Sequence, residues 1–163
     1  MDFKKAAKQP LILILDNVRS MNNVGSIFRT ADAFLIESLL LCGLTGKPPH
    51  REIQKTALGA TETVNWNYFN HTREAIAYCR GLNYDCYAVE QTTGSIPLHQ
   101  FQSPSDKGIA LVLGSEVGGV DEEIIQTCNG CIEIPQRGFK HSLNVAVSAG
   151  IVCWELERKF LSK

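Results

Sequence analysis

A marked excess of either charge is missing from this chain: 16 Lys and Arg stand against 17 Asp and Glu over 163 residues, a net charge of −1. Global attraction to nucleic acid is therefore excluded, and any such binding needs a local basic patch. The patches available are Lys4, Lys5 and Lys8; Lys47, His50, Arg51 and Lys55; and Arg137, Lys140 and His141. No segment approaches the ~20 apolar residues that cross a bilayer, and the N-terminus MDFKKAAKQP has no apolar leader core. The expectation is a soluble cytoplasmic protein without a membrane partner. The six cysteines have no framework spacing and mostly lie within apolar runs, which reads as reduced core thiols. Cys128 and Cys131 form a lone C-x-x-C with neither a second pair nor nearby histidines, so no metal is expected. Also missing are G-x-x-x-x-G-K-[ST], G-x-G-x-x-G after the first strand, and G-x-S-x-G. Their absence leaves a P-loop nucleotidase, a dinucleotide enzyme and a serine hydrolase unsupported. His141 and Ser142 are adjacent, which does not by itself make a base and nucleophile.

What is present is enough apolar matter, 44% of residues, for one domain spanning 1–163, with residues 1–10 as a flexible basic N-terminus. Leu11–Leu15, Ser38–Cys42, Tyr84–Val89, Ile109–Leu113 and Cys131–Ile134 read as short buried strands, Ile109–Leu113 as the central one. Helical stretches separate them. The first is capped by Asn22 or Asn23, with Val24, Ile27, Phe28, Ala31 and Phe34 on its apolar side. Arg51–Leu58 forms a second, stopped at Gly59, and Thr72 caps a third that ends near Gly81. Asp121–Cys128 forms a short fourth. Trp66, Tyr68 and Phe69 supply bulk, and 90–106 is a long loop. Alternating strands and helices imply an α/β fold, a single mostly parallel sheet with helices on both faces.

Three strand ends carry polar residues and glycine together. After the first strand, Gly25 and Arg29 sit one helical turn apart, so the glycine leaves space beside the guanidinium; a salt bridge from Arg29 to Asp32 is the plainer alternative. After the central strand, Gly114 exposes main chain to a ligand, Glu116 offers a carboxylate, and Gly118 and Gly119 relax the turn. The last strand runs into IPQRGFKHSLNVAVSAGI, where Pro135 stops pairing, Gly138 turns, Ser142 caps a helix and Asn144 keeps its amide free. That helix is apolar nearly all round, through Leu143, Val145, Val147, Ile151, Val152, Trp154 and Leu156. Such a helix is buried from two sides, by the sheet and by a possible second subunit, and thin residues around Gly150 suit close backbone approach.

These residues resemble the SPOUT superfamily of knotted RNA methyltransferases, in its SpoU/TrmH-like branch of ribose 2′-O-methyltransferases. The motifs are N-x-G-x-x-x-R as Asn23, Gly25 and Arg29; G-x-E-x-x-G as Gly114, Glu116 and Gly119; and I-P-x-x-G-x-x-x-S-L-N-V as Ile134 to Val145. The Gly59-Ala60 turn also fits, so the similarity spans Leu11 to Glu155. Departures are Met21 and Asn22 where a proline is usual, Leu35 for a glycine, Ser115 for an asparagine, Gln136 for a methionine, and His141 for an acid. The resemblance implies a deep C-terminal trefoil knot, against the general rule that chains avoid knots. It implies S-adenosylmethionine bound near Val89, Glu90, Gly114, Ser115, Gly119, Ile134, Gly138, Ser142 and Leu143. It also implies a homodimer in which Arg29 completes the site of a second subunit, with Asn23, Glu116, Ser142 and Asn144 as the other catalytic residues. RNA, tRNA or rRNA, would meet Arg19, Lys47, Arg51, Lys55, Arg137, Lys140 and His141. The competing expectation is a knotted RNA-binding or assembly module without catalysis.

Overall fold

The computed structural model describes residues 6–104, 106–140 and 142–161. Its seven strands are β1 (Gln9–Asp16), β2 (Ile36–Cys42), β3 (Trp66–Phe69), β4 (Tyr84–Val89), β5 (Ile96–Pro97), β6 (Gly108–Gly114) and β7 (Gly130–Glu133). The helices are α1 (Met21–Ala33), α2 (Arg51–Ala57), α3 (Ala60–Thr63), α4 (Thr72–Gly81), α5 (Glu122–Thr127) and α6 (Val145–Leu161). All the strands pair in parallel, in the order β3-β2-β1-β6-β4-β7-β5. The central strand is β6, as its sequence IALVL implies.

Alternation along the central strands explains the layers. Leu11, Leu13, Leu15, Leu39, Leu41, Ile109, Leu111 and Leu113 face a core shared with α1 and α6. Ile12, Ile14, Leu40, Cys42, Ala110 and Val112 face the opposite core, shared with α4. Both side-chain sets are removed from water, so an unbroken aliphatic run satisfies both faces at once. From β1 the chain winds outward to β2 and β3, and from β6 the next strand lies on the other side. Ligands in open α/β sheets bind beyond the carboxyl ends of strands at such a reversal, here Asp16 of β1 beside Gly114 of β6.

Several local expectations change. The α1 cap is Ser20, whose hydroxyl accepts from the Asn23 N–H, so the asparagine side chains are released from capping. Gly25 does not leave open space. A Cβ there would lie 2.0 Å from Thr56 Oγ1 and 2.4 Å from the Ile53 carbonyl, because α2 packs directly on this turn. The Arg29–Asp32 salt bridge is not formed; Asp32 instead accepts from the Thr63 hydroxyl at 2.5 Å. Thr72 is not a cap but the first residue of α4, buried, with its hydroxyl on the Asp16 carboxylate; His71 takes the cap position. Trp66, Tyr68 and Phe69 lie in an edge strand, and the long loop contains the two-residue β5 and a 3₁₀ turn at Leu98–Gln100. Leu35, standing where the family has glycine, takes a left-handed φ of 50°. β1 begins at Gln9, inside the stretch expected to be flexible; residues 1–5 lie outside the described residues.

Candidate functional site

The loop after β6 folds back on its own strand. Gly119 N–H donates to the Ser115 carbonyl at 2.8 Å, and Gly118 N–H to the Ser115 hydroxyl at 3.1 Å. A Cβ on Gly114 would lie 2.2 Å from the Gly119 carbonyl group, so only glycine permits this closure. Gly119 itself has φ 63°. The loop forms the wall between two clefts, each of about 550 Å³.

Asn23, Glu116 and Asn144 meet on this wall from three distant parts of the chain. Asn144, rather than Ser142, is the α6 cap: its Oδ1 accepts from the N–H groups of Ala146 at 2.8 Å and Val147 at 3.2 Å. This fixes the amide's orientation, because the oxygen must face the helix. Its Nδ2 then donates to Asn23 Oδ1 at 3.2 Å, and Asn23 Nδ2 in turn donates to Glu116 Oε1 at 2.6 Å. The order of donors is thus set by the helix end and finishes on a carboxylate.

The first cleft is lined by Val89, Glu90, Gly114, Ser115, Gly119, Ile134, Ser142 and Leu143, eight of the residues the sequence nominates. Gly138 is outside it, on the loop 135–140, where nothing lies within 4 Å of the place its Cβ would take. Sequence reasoning missed Gln91, Thr92, Glu122 and Gln136, which join only when the turns converge. Among the described residues no lysine or arginine lines this cleft, while Glu90, Glu116 and Glu122 do. Its walls therefore suit a ligand that is apolar in part and carries positive charge.

The second cleft lies across the wall, lined by Asp16, Asn17, Arg19, Ser20, Asn23, Leu44, Glu116 and Val117 among others. Arg29 is in neither. It is exposed on α1 in a groove with Ser26, Thr30, Phe34 and Lys55, six residues along the helix from Asn23 or ~9 Å of axial rise. Lys47 stands over the Tyr68 ring at 4.1 Å, and Arg51 opens α2. Arg137 and Lys140 are exposed on the loop before α6; His141 lies outside the described residues. Cys131 is buried in β7 and Cys128 follows α5, and among the described residues no three metal-ligating side chains gather. No helix among them is long and apolar enough to cross a membrane.

An open parallel sheet with a cleft at its reversal point defines the class: a ligand-binding α/β domain whose site is built from strand-to-helix loops. The chain belongs to the SpoU rRNA Methylase family, whose profile matches residues 10–154. It is 31% identical over 153 residues to the 23S rRNA (guanosine-2′-O-)-methyltransferase RlmB of Vibrio vulnificus, covering 94% of this chain and 61% of that protein. The chain thus spans about three-fifths of the length of that relative. A TrmH/SpoU tRNA modifying enzyme of A. aeolicus superposes with TM-score 0.86 at 25% identity, over 99% of this chain and 80% of that one. An rRNA methyltransferase of Sinorhizobium meliloti, solved with AdoMet bound, gives TM-score 0.86 at 27% identity over 99% and 61%.

Proposed function

We propose that the protein transfers a methyl group from S-adenosylmethionine to a ribose 2′-hydroxyl of RNA, in the cytoplasm and as a homodimer. The observation that carries this reading is the division of charge. Among the described residues the first cleft has three carboxylates and no lysine or arginine, the second sets Arg19 against Asp16, Glu116 and Asp121, and the groove on α1 holds Arg29 and Lys55 with no carboxylate. A cationic donor fits the first cleft, and a polyanion fits the groove on α1. S-adenosylmethionine, when bound, supplies an electrophilic methyl on a positively charged sulfur. Glu90 and Glu122 then favour its charge, and the main chain at Gly114 and Leu143 reads its shape.

The protein's own task is to align a poor nucleophile and ease its deprotonation. Asn144 and Asn23 hold Glu116 at the wall through the hydrogen-bond chain described above. Glu116 and Ser142 would orient Arg29 supplied by a second copy, since Arg29 lies outside both clefts of its own chain. A guanidinium is a poor base and acts best by binding the flanking phosphate and lowering the hydroxyl pKa. Support for the second copy comes from α6, where Val147, Ile151 and Trp154 are exposed while the helix's inner face is fully covered. Phe34 packs on Trp154 with ring centroids 6.3 Å apart, extending that apolar surface toward Arg29. The resemblance adds the trefoil knot to this reading, with α6 as the threaded segment.

Calorimetry with S-adenosylmethionine and radiolabel transfer to bulk RNA test the proposal. Saturable binding and label at alkali-resistant ribose positions are expected; binding without transfer would favour an assembly module, and neither would reject the reading.

A further inference from the structure

Within itself the wall between the clefts is closed only by the short Ser115–Gly119 bridge and its turn, yet it carries Glu116. Two carboxylates hold it, one from each strand flanking β6. Glu90, at the end of β4, accepts from the Val120 N–H at 3.1 Å and lies 2.6 Å from where a Gly119 Cβ would be. Asp16, at the end of β1 and only 3% exposed, accepts from the Asp121 N–H at 3.4 Å. The other oxygen of Asp16 accepts from Thr72 Oγ1 at 2.5 Å and Asn17 Nδ2 at 3.4 Å. Neither carboxylate has an ion-pair partner among the described residues. A buried carboxylate satisfied only by neutral donors carries a desolvation cost that packing alone does not call for. Its return is directed bonds from backbone N–H groups, at 3.1 Å on Glu90 and 3.4 Å on Asp16.

From this geometry we infer that Asp16 and Glu90 are positioning residues, a two-sided tether that hangs loop 115–121 from β1 and β4 and so fixes Glu116 between donor and acceptor. The inference rests on the function proposed above. Asp16 borders the second cleft and Glu90 the donor cleft, so the tether points lie on opposite sides of the wall. A misplacement of ~1 Å at a reacting centre costs about 10²-fold in rate.

The test is backbone amide exchange by NMR on the full chain, alongside S-adenosylmethionine calorimetry and methyl-transfer kinetics. Glu90→Ala is expected to speed exchange at Val120 about 10-fold or more and to leave Asp121 protected; Asp16→Ala does the reverse. Asp16 does not line the donor cleft, so Asp16→Ala lowers kcat about 10²-fold while the affinity for S-adenosylmethionine stays as in wild type. Asp16→Asn, which keeps one oxygen for Asp121, restores part of kcat, whereas Asp16→Val, which fills the space without an acceptor, does not. If Asp16→Ala does not fold, Glu90→Ala at its half-buried position carries the test. Unchanged exchange at Val120, or full kcat once exchange has accelerated, overturns the tether. Exchange is read without turnover, so a wild-type chain that binds no S-adenosylmethionine counts against the proposed function while the exchange pattern still decides this one.

Discussion

The two faces of the sheet are finished differently. On one, α4 buries Ala75, Ile76 and Cys79 and shows Arg73, Glu74 and Arg80 to solvent. On the other, α6 buries Val145, Ala149, Val152, Cys153 and Leu156 but turns Val147, Ile151 and Trp154 outward. A helix with a charged outer surface ends a layer; one with an apolar outer surface leaves it open to another molecule. The hydrogen-bonded chain of Asn144, Asn23 and Glu116 belongs to the open face, since its asparagines stand on α1 and at the start of α6. On the function proposed above, the closed face supplies stability and the open face is the one for chemistry and assembly.

The comparison breaks most sharply at Arg29. Arg29→Ala is expected to cut methyl transfer by 10²-fold or more while S-adenosylmethionine binding and the melting temperature stay unchanged. Retained turnover would remove Arg29 from the chemistry. Next comes Leu40→Ala on the closed face, where Leu40 is fully buried: a loss of about 2–5 kcal/mol in urea unfolding is expected. Turnover per folded molecule should be kept. Trp154→Glu places a charge on the open face at a side chain 58% exposed and removes its ring contact with Phe34, so monomer stability should fall by about 0.5–1.5 kcal/mol. Sedimentation should nevertheless show the proposed dimer for wild type and monomer for the variant; an unchanged dimer would place the subunit contact elsewhere, and a monomeric wild type would remove the dimer from the proposal.

The sheet was legible because its strands are uninterrupted aliphatic runs, which need two covering layers. β3 was not, since Trp66 and Tyr68 are half-buried in an edge strand whose pattern resembles a loop with aromatics. The motif spacing marked Asn23, Glu116 and Asn144 separately, but their hydrogen bonds span 93 and 121 residues and follow only from the topology. Caps were misplaced for a related reason. Ser20, His71 and Asn144 are the cap positions, while the neighbouring polar residues Asn23 and Thr72 bond to distant groups that local sequence does not reveal. Asp16 gave no signal beyond ending a strand, because both its roles require residues brought from α4 and from the loop after β6.

Near neutral pH the smallest effect belongs to two thiols, one on each face. Burial, reinforced by Asp16 and Glu74 and opposed by a Thr72 hydrogen bond, pushes Cys42 up to about 12 from an ordinary 9.0. Burial alone takes Cys153 to about 12. Below the unfolded value both states keep the proton, so the thiols make stability flat between about pH 6 and 8. Between 9.0 and about 12 the unfolded chain ionises and the folded chain does not, so stability falls as pH rises. The slope approaches about 1.4 kcal/mol per pH unit for each thiol. Urea midpoints at pH 7 and 10 for wild type, Cys42→Ala and Cys153→Ala measure this, each variant losing part of the alkaline slope. Iodoacetamide separates the faces further: both thiols should resist alkylation in the folded protein at pH 8 and react in urea. If Cys153 alone reacts in a Trp154→Glu monomer, then the second copy, rather than the sheet, is what seals the open face.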